Sequence, residues 1–322
     1  MTIQFLILIA GLVLILMGAN WLVDGSSSIA KKTGLSEFVI GLTIVGIGTS
    51  TPEMVVSFIS SAQGKADMAI GNIVGSNIFN TMIILGITAM ICPLIITKES
   101  RKRDLPINLL ATILLIGLGM KHSLFGIGTN TLTRLDGIIM LGILAWYFKS
   151  LMKKDSGTDS METNDSEDSI KVFSTGKSIF FILIGLGCLI YGGSLFVDAA
   201  EKIAIYFGMS QKFIAITVMA AGTSLPELAT CVVAALKGRG QLALGNVLGS
   251  NIFNILLILG GSALIHPLSF GNMTDIDLGT VLLSAVLLLT SVYTFKRNKL
   301  DKIEGLILLL LEAGYMTWLF MN

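Results

Sequence analysis

A proline and an acidic residue interrupt a long apolar run of this sequence, and the same interruption occurs twice. The first is "GTSTPE" (48–53), inside "FVIGLTIVGIGTSTPEMVVSFI", and the second is "GTSLPE" (222–227), inside "FIAITVMAAGTSLPELATCVVAAL". A carboxylate inside a membrane segment costs at least about 2.5–3.5 kcal/mol, so it normally faces a cavity or a partner. The two interruptions therefore predict a functional site at membrane depth.

The composition predicts an all-α polytopic membrane protein. The 322 residues are 53% hydrophobic and 13% charged, whereas a soluble chain would have about 25% charged residues. Ten apolar runs are long enough to predict transmembrane helices. They cover approximately Ile3–Val23, Phe38–Ala62, Met68–Cys92, Leu105–Met120, Leu135–Leu151, Ile179–Ala199, Phe213–Leu236, Leu242–Ile265, Leu278–Phe295 and Ile303–Phe320.

The sequence repeats itself after 174 residues. Residues 48–80 align without gaps to residues 222–254, with 15 of 33 positions identical. Each half has five predicted spans, an odd number, so the second half is inverted in the membrane, as in many secondary transporters. We expect a first five-helix repeat (1–152), a polar acidic linker (153–177) and a second, inverted repeat (178–322), with helices 2, 3, 7 and 8 interrupted.

The basic residues predict the orientation in the membrane. If both termini are outside, 17 of the 22 Lys and Arg fall in cytoplasmic loops, as the positive-inside rule requires. We therefore expect a multi-pass protein of the cell membrane with both termini outside and the linker in the cytoplasm. The linker lacks the ligand spacing of an EF-hand loop and is expected to be disordered.

The first wall of the predicted site comes from the two interruptions. Pro52 removes a backbone donor, so carbonyls near Gly46 lose their helical partners and can face a cavity. Thr49, Ser50 and Glu53 add hydroxyl and carboxylate oxygens. The second half repeats this set with Ala220, Thr223, Ser224 and Glu227.

The second wall comes from "GNIVGSNIFN" and "GNVLGSNIFN". Polar residues recur every four positions there and so share one helix face. They are Asn72, Ser76 and Asn80 in the first copy and Asn246, Ser250 and Asn254 in the second. The GxxxG pairs 71/75 and 245/249 are typical of close helix packing.

Many neutral oxygens and two carboxylates favour a hard cation, because soft metals prefer Cys or His. One Ca²⁺, two Na⁺ or two protons would each balance the two negative charges, and ions that compete for one carboxylate pair would exchange. The three cysteines, Cys92, Cys188 and Cys231, are interpreted as packing residues.

These doubled blocks resemble the two α-repeats of the cation/Ca²⁺ antiporter superfamily, specifically its microbial sodium/calcium exchanger branch. The resemblance implies alternating access, Na⁺ and Ca²⁺ as transported substrates, and sliding of the first and sixth helices across the rest. It also implies an ion-binding set. That set is Gly46, Thr49, Ser50, Glu53, Ser76, Asn80, Ala220, Thr223, Ser224, Glu227, Ser250 and Asn254.

Two departures within this resemblance concern ion choice. Potassium-dependent exchangers carry an aspartate at the position of Asn254, so potassium dependence is not expected here. Proton-coupled members tend to carry a glutamate where this chain has Ser76 and Ser250, which favours Na⁺ as the coupling ion.

Several alternatives remain open or are disfavoured. An H⁺/Ca²⁺, or other cation, exchanger could use the same two glutamates. A channel would need four-fold repetition, and the sequence has no nucleophile–base pair for an enzyme.

We expect inorganic cations and membrane lipid as partners, with no nucleic acid, organic cofactor or obligatory protein partner, compatible with a monomer. Asp24, Asp198 and Glu312 have no assigned role.

Overall fold

The computed structural model describes residues 2–152, 171–207, 220–270, 273–291, 293 and 298–321. Most of the predicted linker, and the beginning of the predicted seventh span, lie outside these residues. The described chain is built almost entirely from helices, as the composition predicts.

The helices follow the predicted apolar runs wherever these are described. The first half contains α1 (Thr2–Thr33), α2 (Glu37–Ile40), α3 (Gly46–Thr49), α4 (Thr51–Ala62), α5 (Ala66–Phe79), α6 (Leu85–Ile91), α7 (Leu105–Gly119), α8 (Lys121–Phe125) and α9 (Arg134–Met152). The second half contains α10 (Thr175–Tyr206), α11 (Ala220–Thr223), α12 (Leu225–Leu236), α13 (Gly240–Phe253), α14 (Gly260–Ile265), α15 (Asp275–Thr290) and α16 (Lys302–Met321).

Four described helices are long and apolar enough to cross a membrane. They are residues 2–33, 66–91, 175–206 and 240–265. A fifth span results if the bent pair 37–49 and 51–62 is counted as one. The helix α1 extends ten residues beyond the predicted Val23, because its last turns pack against α10 and the Ser28 hydroxyl hydrogen-bonds Ser178 at 2.8 Å.

The predicted interruption of the second helix is a bend of 47° between α3 and α4. Ser50 separates the two helices, and Pro52 lies in the first turn of α4. Proline is tolerated in a first turn, where the missing N–H has no helical partner. The second half has the same break at Ser224, with Pro226 in the first turn of α12.

The predicted interruptions of helices 3 and 8 take another form, and this part of the prediction is corrected. Both helices continue without a break, through π-helical segments at Asn80–Ile84 and Asn254–Leu259. Neither segment contains a proline to remove a donor, so the helix absorbs an extra residue instead of ending. Such π-bulges occur often at functional sites.

The helices α1 and α10 pack closely along their length. A Cβ at Gly18 would approach the Gly185 carbonyl oxygen to 2.7 Å, and one at Gly11 would approach the Gly192 oxygen to 2.8 Å. Small residues let the two backbones meet in this way. The first helix of each half thus contacts its counterpart directly.

Glycines also seat α13 against the first half. A Cβ at Gly245 would overlap the Phe38 carbonyl oxygen, and one at Gly249 would overlap that of Leu42. The repeat-related Gly71 and Gly75 have no such neighbour within 4 Å among the described residues. The predicted glycine packing is therefore present at Gly245 and Gly249, while positions 212 and 216, equivalent to their partners Phe38 and Leu42, lie outside the described residues.

Two short antiparallel strand pairs join the halves. The strand β1 (Leu94–Ile95) pairs with β4 (Lys299–Leu300), and β2 (Thr131–Leu132) pairs with β3 (Leu268–Ser269). Each pair takes one strand from each half, so the two halves interlock through loops as well as helices.

Candidate cation site

The two helix breaks lie beside the repeated glutamates, which meet in one buried polar centre. Glu53 and Glu227 lie in the first turns of α4 and α12, and both side chains are fully buried. Their hydrogen bonds cross between the halves. The Ser50 hydroxyl donates to Glu227 Oε1 at 3.0 Å, and the Ser224 hydroxyl donates to Glu53 Oε1 at 3.2 Å.

A second pair of serines approaches the same carboxylates from α5 and α13. Ser76 donates to Glu53 Oε1 at 3.3 Å, and Ser250 is placed to donate to Glu227 Oε1 at 3.5 Å. The Ser76 and Ser224 hydroxyls are 3.1 Å apart. Each glutamate therefore has two serines, one from each half, at a single carboxylate oxygen.

The other carboxylate oxygens are buried and have no donor. Glu53 Oε2 and Glu227 Oε2 make no hydrogen bond within the described residues, and the same holds for two amide oxygens, Asn80 Oδ1 and Asn254 Oδ1. These four atoms come as two repeat-related pairs and can only accept. Buried acceptors without donors are unfavourable unless a cation or an unseen donor is present.

The charge of the centre also favours a bound cation. None of the salt bridges in the described part of the chain involves Glu53 or Glu227, and the two carboxylates repel each other. Two uncompensated negative charges in a buried position are costly. The arrangement can bind a cation through oxygen atoms alone.

The remaining predicted residues lie around this centre with different contacts. The Ser250 hydroxyl can donate its single hydrogen to the Gly46 carbonyl at 3.4 Å in place of Glu227, and Thr49 donates to Asn246 Oδ1 at 3.1 Å. Thr223 is half-buried in α11, without a side-chain hydrogen bond in the described ranges. Ala220 begins the same helix, directly after residues outside the description.

Three polar residues that the sequence reasoning missed adjoin the site. Asn77, Thr81 and Asn251 are buried, and their side chains hydrogen-bond to the predicted amides or to one another. A signal was available, since Asn77 and Asn251 belong to "GSNIFN", which occurs in both halves.

The structure also shows the surroundings of residues that the sequence did not assign to the site. Cys231, interpreted as a packing residue, is buried and accepts a hydrogen bond from Asn246 at 3.3 Å. Asp24 forms an ion pair of 2.6 Å with Lys237 at the end of α12. Glu312 is buried in α16, and neither carboxylate oxygen has a partner in the described chain.

The long apolar helices indicate a membrane-embedded protein. Both halves contribute charged and polar side chains to its buried centre. The chain belongs to the sodium/calcium exchanger family. The sequence profile described as "Sodium/calcium exchanger protein" matches residues 3–149 and 177–321. Membership makes the chain a cation exchanger, and the predicted microbial sodium/calcium exchanger branch is confirmed by the relatives.

Two relatives and one solved structure match almost the entire chain. The "Putative antiporter CaxA" of Alkalimonas amylolytica is 36% identical, with 99% of each chain covered. The "Sodium/calcium exchanger MaX1" of Methanosarcina acetivorans is 34% identical, again with 99% of each chain covered. A crystal structure of the sodium-calcium exchanger NCX_Mj, soaked with Na⁺ and Ca²⁺, superposes with a TM-score of 0.81 at 32% identity, covering 98% of both chains.

Proposed function

We propose that this protein exchanges Na⁺ for Ca²⁺ across the cell membrane by alternating access. The observation that carries the proposal is the set of four buried acceptor oxygens without donors, on Glu53, Glu227, Asn80 and Asn254. Family membership and the named activity of MaX1 support the choice of ions.

The chemistry of the four oxygens favours Ca²⁺ and Na⁺. Both are hard cations that accept neutral and charged oxygen ligands, and Ca²⁺ tolerates irregular geometry with six to eight ligands. The described residues contain no group of three or more His, Cys, Asp or Glu side chains that could hold a soft metal. One Ca²⁺ or two Na⁺ would neutralise the two carboxylates. The site can therefore bind either of these at one time, but not both together.

The proposed ion-binding set is the one implied by the family resemblance. Serine and carboxylate contacts directly support Ser50, Glu53, Ser76, Ser224, Glu227 and Ser250. The unpartnered amide oxygens support Asn80 and Asn254. Gly46, Thr49, Ala220 and Thr223 complete the set through their positions beside the two breaks.

We further propose ten transmembrane helices in two inverted five-helix halves, residues 1–152 and 178–322, with both termini outside and a cytoplasmic linker. The order of helix break, glutamate, turn and π-helical segment is the same in both halves, which supports this topology. No organic cofactor and no obligatory protein partner is proposed, in keeping with a monomer in membrane lipid.

The test is uptake of ⁴⁵Ca²⁺ into liposomes that contain the purified protein, in matched potassium-free buffers. Internal Na⁺ should drive uptake, and an internal acid load should not. The matched control is the Glu53→Gln/Glu227→Gln double variant, which keeps the size of both side chains and should lose uptake. Uptake driven only by protons would reassign the coupling ion, while undiminished uptake by the double variant would refute the two-glutamate site.

A further inference from the structure

A chain of amides lies behind the proposed ligands and crosses between the two halves. Asn254 Nδ2 donates to Asn77 Oδ1 at 2.9 Å, and Asn80 Nδ2 donates to Asn251 Oδ1 at 3.2 Å. Asn77 and Asn251 are repeat-related and buried. Each amide proposed to bind the ion is thus hydrogen-bonded through its nitrogen to an asparagine of the other half.

The direction of one hydrogen bond fixes the direction of the next. Asn77 Nδ2 donates to the backbone carbonyl of Asn251 at 3.2 Å. A carbonyl can only accept, so Asn77 must direct its NH₂ group there and its oxygen towards Asn254. Asn254 must then donate its own NH₂ group, which leaves its Oδ1 free for an ion.

The hydrogen bonds from Asn80 through Asn251, the second branch of the amide chain, end at a different kind of group. Asn251 Nδ2 donates to Thr81 Oγ1 at 2.8 Å, while its oxygen accepts from Asn80. A hydroxyl can donate as well as accept, so Thr81 restricts Asn251 less than a carbonyl would. The orientation of Asn254 is therefore fixed more firmly than that of Asn80.

We propose that Asn77 and Asn251 are positioning residues that set the ion affinity by holding the oxygens of Asn254 and Asn80 free for the cation. This inference rests on the proposed function. A rotated amide would present an NH₂ group to the cation in place of an oxygen. Groups that orient metal ligands typically contribute about 10–100-fold to metal affinity.

The experiment is a double-mutant cycle on Ca²⁺ binding, measured by isothermal titration calorimetry with the purified full chain. Asn77→Ala should weaken Ca²⁺ binding by about 10–100-fold. In the Asn254→Ala background the same change should add less than about twofold, because the ligand that Asn77 orients is already gone. A merely structural role would produce equal losses in both backgrounds.

A second double-mutant cycle and one control variant complete the experiment. The cycle Asn251→Ala with Asn80→Ala examines the other branch independently, should Asn77→Ala fail to fold. The control is Thr88→Val, which removes a buried hydroxyl bonded to the Ile84 carbonyl of its own helix. Thr88→Val should leave Ca²⁺ affinity unchanged, and a melting curve of each variant separates lost affinity from lost folding.

The possible results separate this inference from the proposed function. Coupled losses in either cycle support the positioning role. Additive losses, or unchanged Ca²⁺ affinity in Asn77→Ala and Asn251→Ala, overturn it and leave the exchanger intact. A well-folded wild-type protein that binds no Ca²⁺ would refute the proposed function and the positioning role with it.

Discussion

Three buried glutamates of the described chain, Glu53, Glu227 and Glu312, differ in their neighbours. Glu53 and Glu227 each have serine donors at one oxygen and a free oxygen at the other. Glu312 is equally buried, yet both of its oxygens lack a partner in the described chain. The arrangement at Glu53 and Glu227 is suited to a transient cation, whereas nothing in the described surroundings of Glu312 compensates its burial.

Replacement of Glu312 should therefore stabilise the protein. A buried polar group without a partner costs about 1–3 kcal/mol, and Glu312→Leu removes both carboxylate oxygens at similar volume. We expect the apparent melting temperature of detergent-solubilised protein to rise by roughly 2–4 °C for each kcal/mol recovered. Glu99→Gln, at an exposed position, is the control and should change little. A lower melting temperature for Glu312→Leu would show that this carboxyl has a stabilising partner.

At the scale of single residues, the sequence repeat predicted most of the polar centre and missed its supports. Glu53 and Glu227 stand out because a charge inside an apolar run is costly. Asn77 escaped notice because the predicted face follows every fourth residue, and Asn77 lies about 100° away from Ser76 on an ideal helix. The π-helical segment that begins at Asn80 shifts the helix phase further, which a regular period does not predict.

Among the helices, the glycines of α13 and α5 form a natural comparison. Gly249 meets the Leu42 carbonyl, whereas the equivalent Gly75 has no described neighbour within 4 Å. Gly249→Ala should destabilise the protein by about 1–3 kcal/mol through overpacking against a backbone atom that cannot rotate away. Gly75→Ala should melt like the wild type, as fluorescence-detected size exclusion after heating would show.

Transport measurements on Gly249→Ala and Gly75→Ala provide a second test. If the halves exchange roles during alternating access, Gly75 takes the close contact that Gly249 makes here. Gly75→Ala should then fold normally but transport more slowly, while Ca²⁺ binding to the present arrangement is retained. Equal melting losses in both variants would show that Gly75 also packs closely in this arrangement.

The bends and the π-helical segments differ in how far sequence predicts them. Pro52 and Pro226 identify the two breaks, because a proline favours the first turn of a new helix. The segments at Asn80 and Asn254 contain no such residue, and both contact helices of the other half. Sequence therefore predicted that these helices were irregular without predicting the kind of irregularity.

For the whole molecule, the proposed orientation predicts which surfaces each side of the membrane can reach. In a Cys92→Ser/Cys188→Ser/Cys231→Ser background, a cysteine replacing Ser156 in the linker should react with an impermeant maleimide only after the membrane is permeabilised. A cysteine replacing Asn322 at the C-terminus should react in intact cells, because the positive-inside rule places the termini outside. The reverse labelling pattern would invert the proposed topology.

The paired strands between the loops have a consequence for how the chain can be divided. The strand β1 binds β4, and β2 binds β3, so each half supplies backbone donors and acceptors that the other half completes. The direct packing of α1 on α10 adds a third junction that does not involve the linker. We therefore expect the two halves to assemble even when the chain is cut within residues 153–177. We expect two separate polypeptides, produced together, to recognise each other through these junctions.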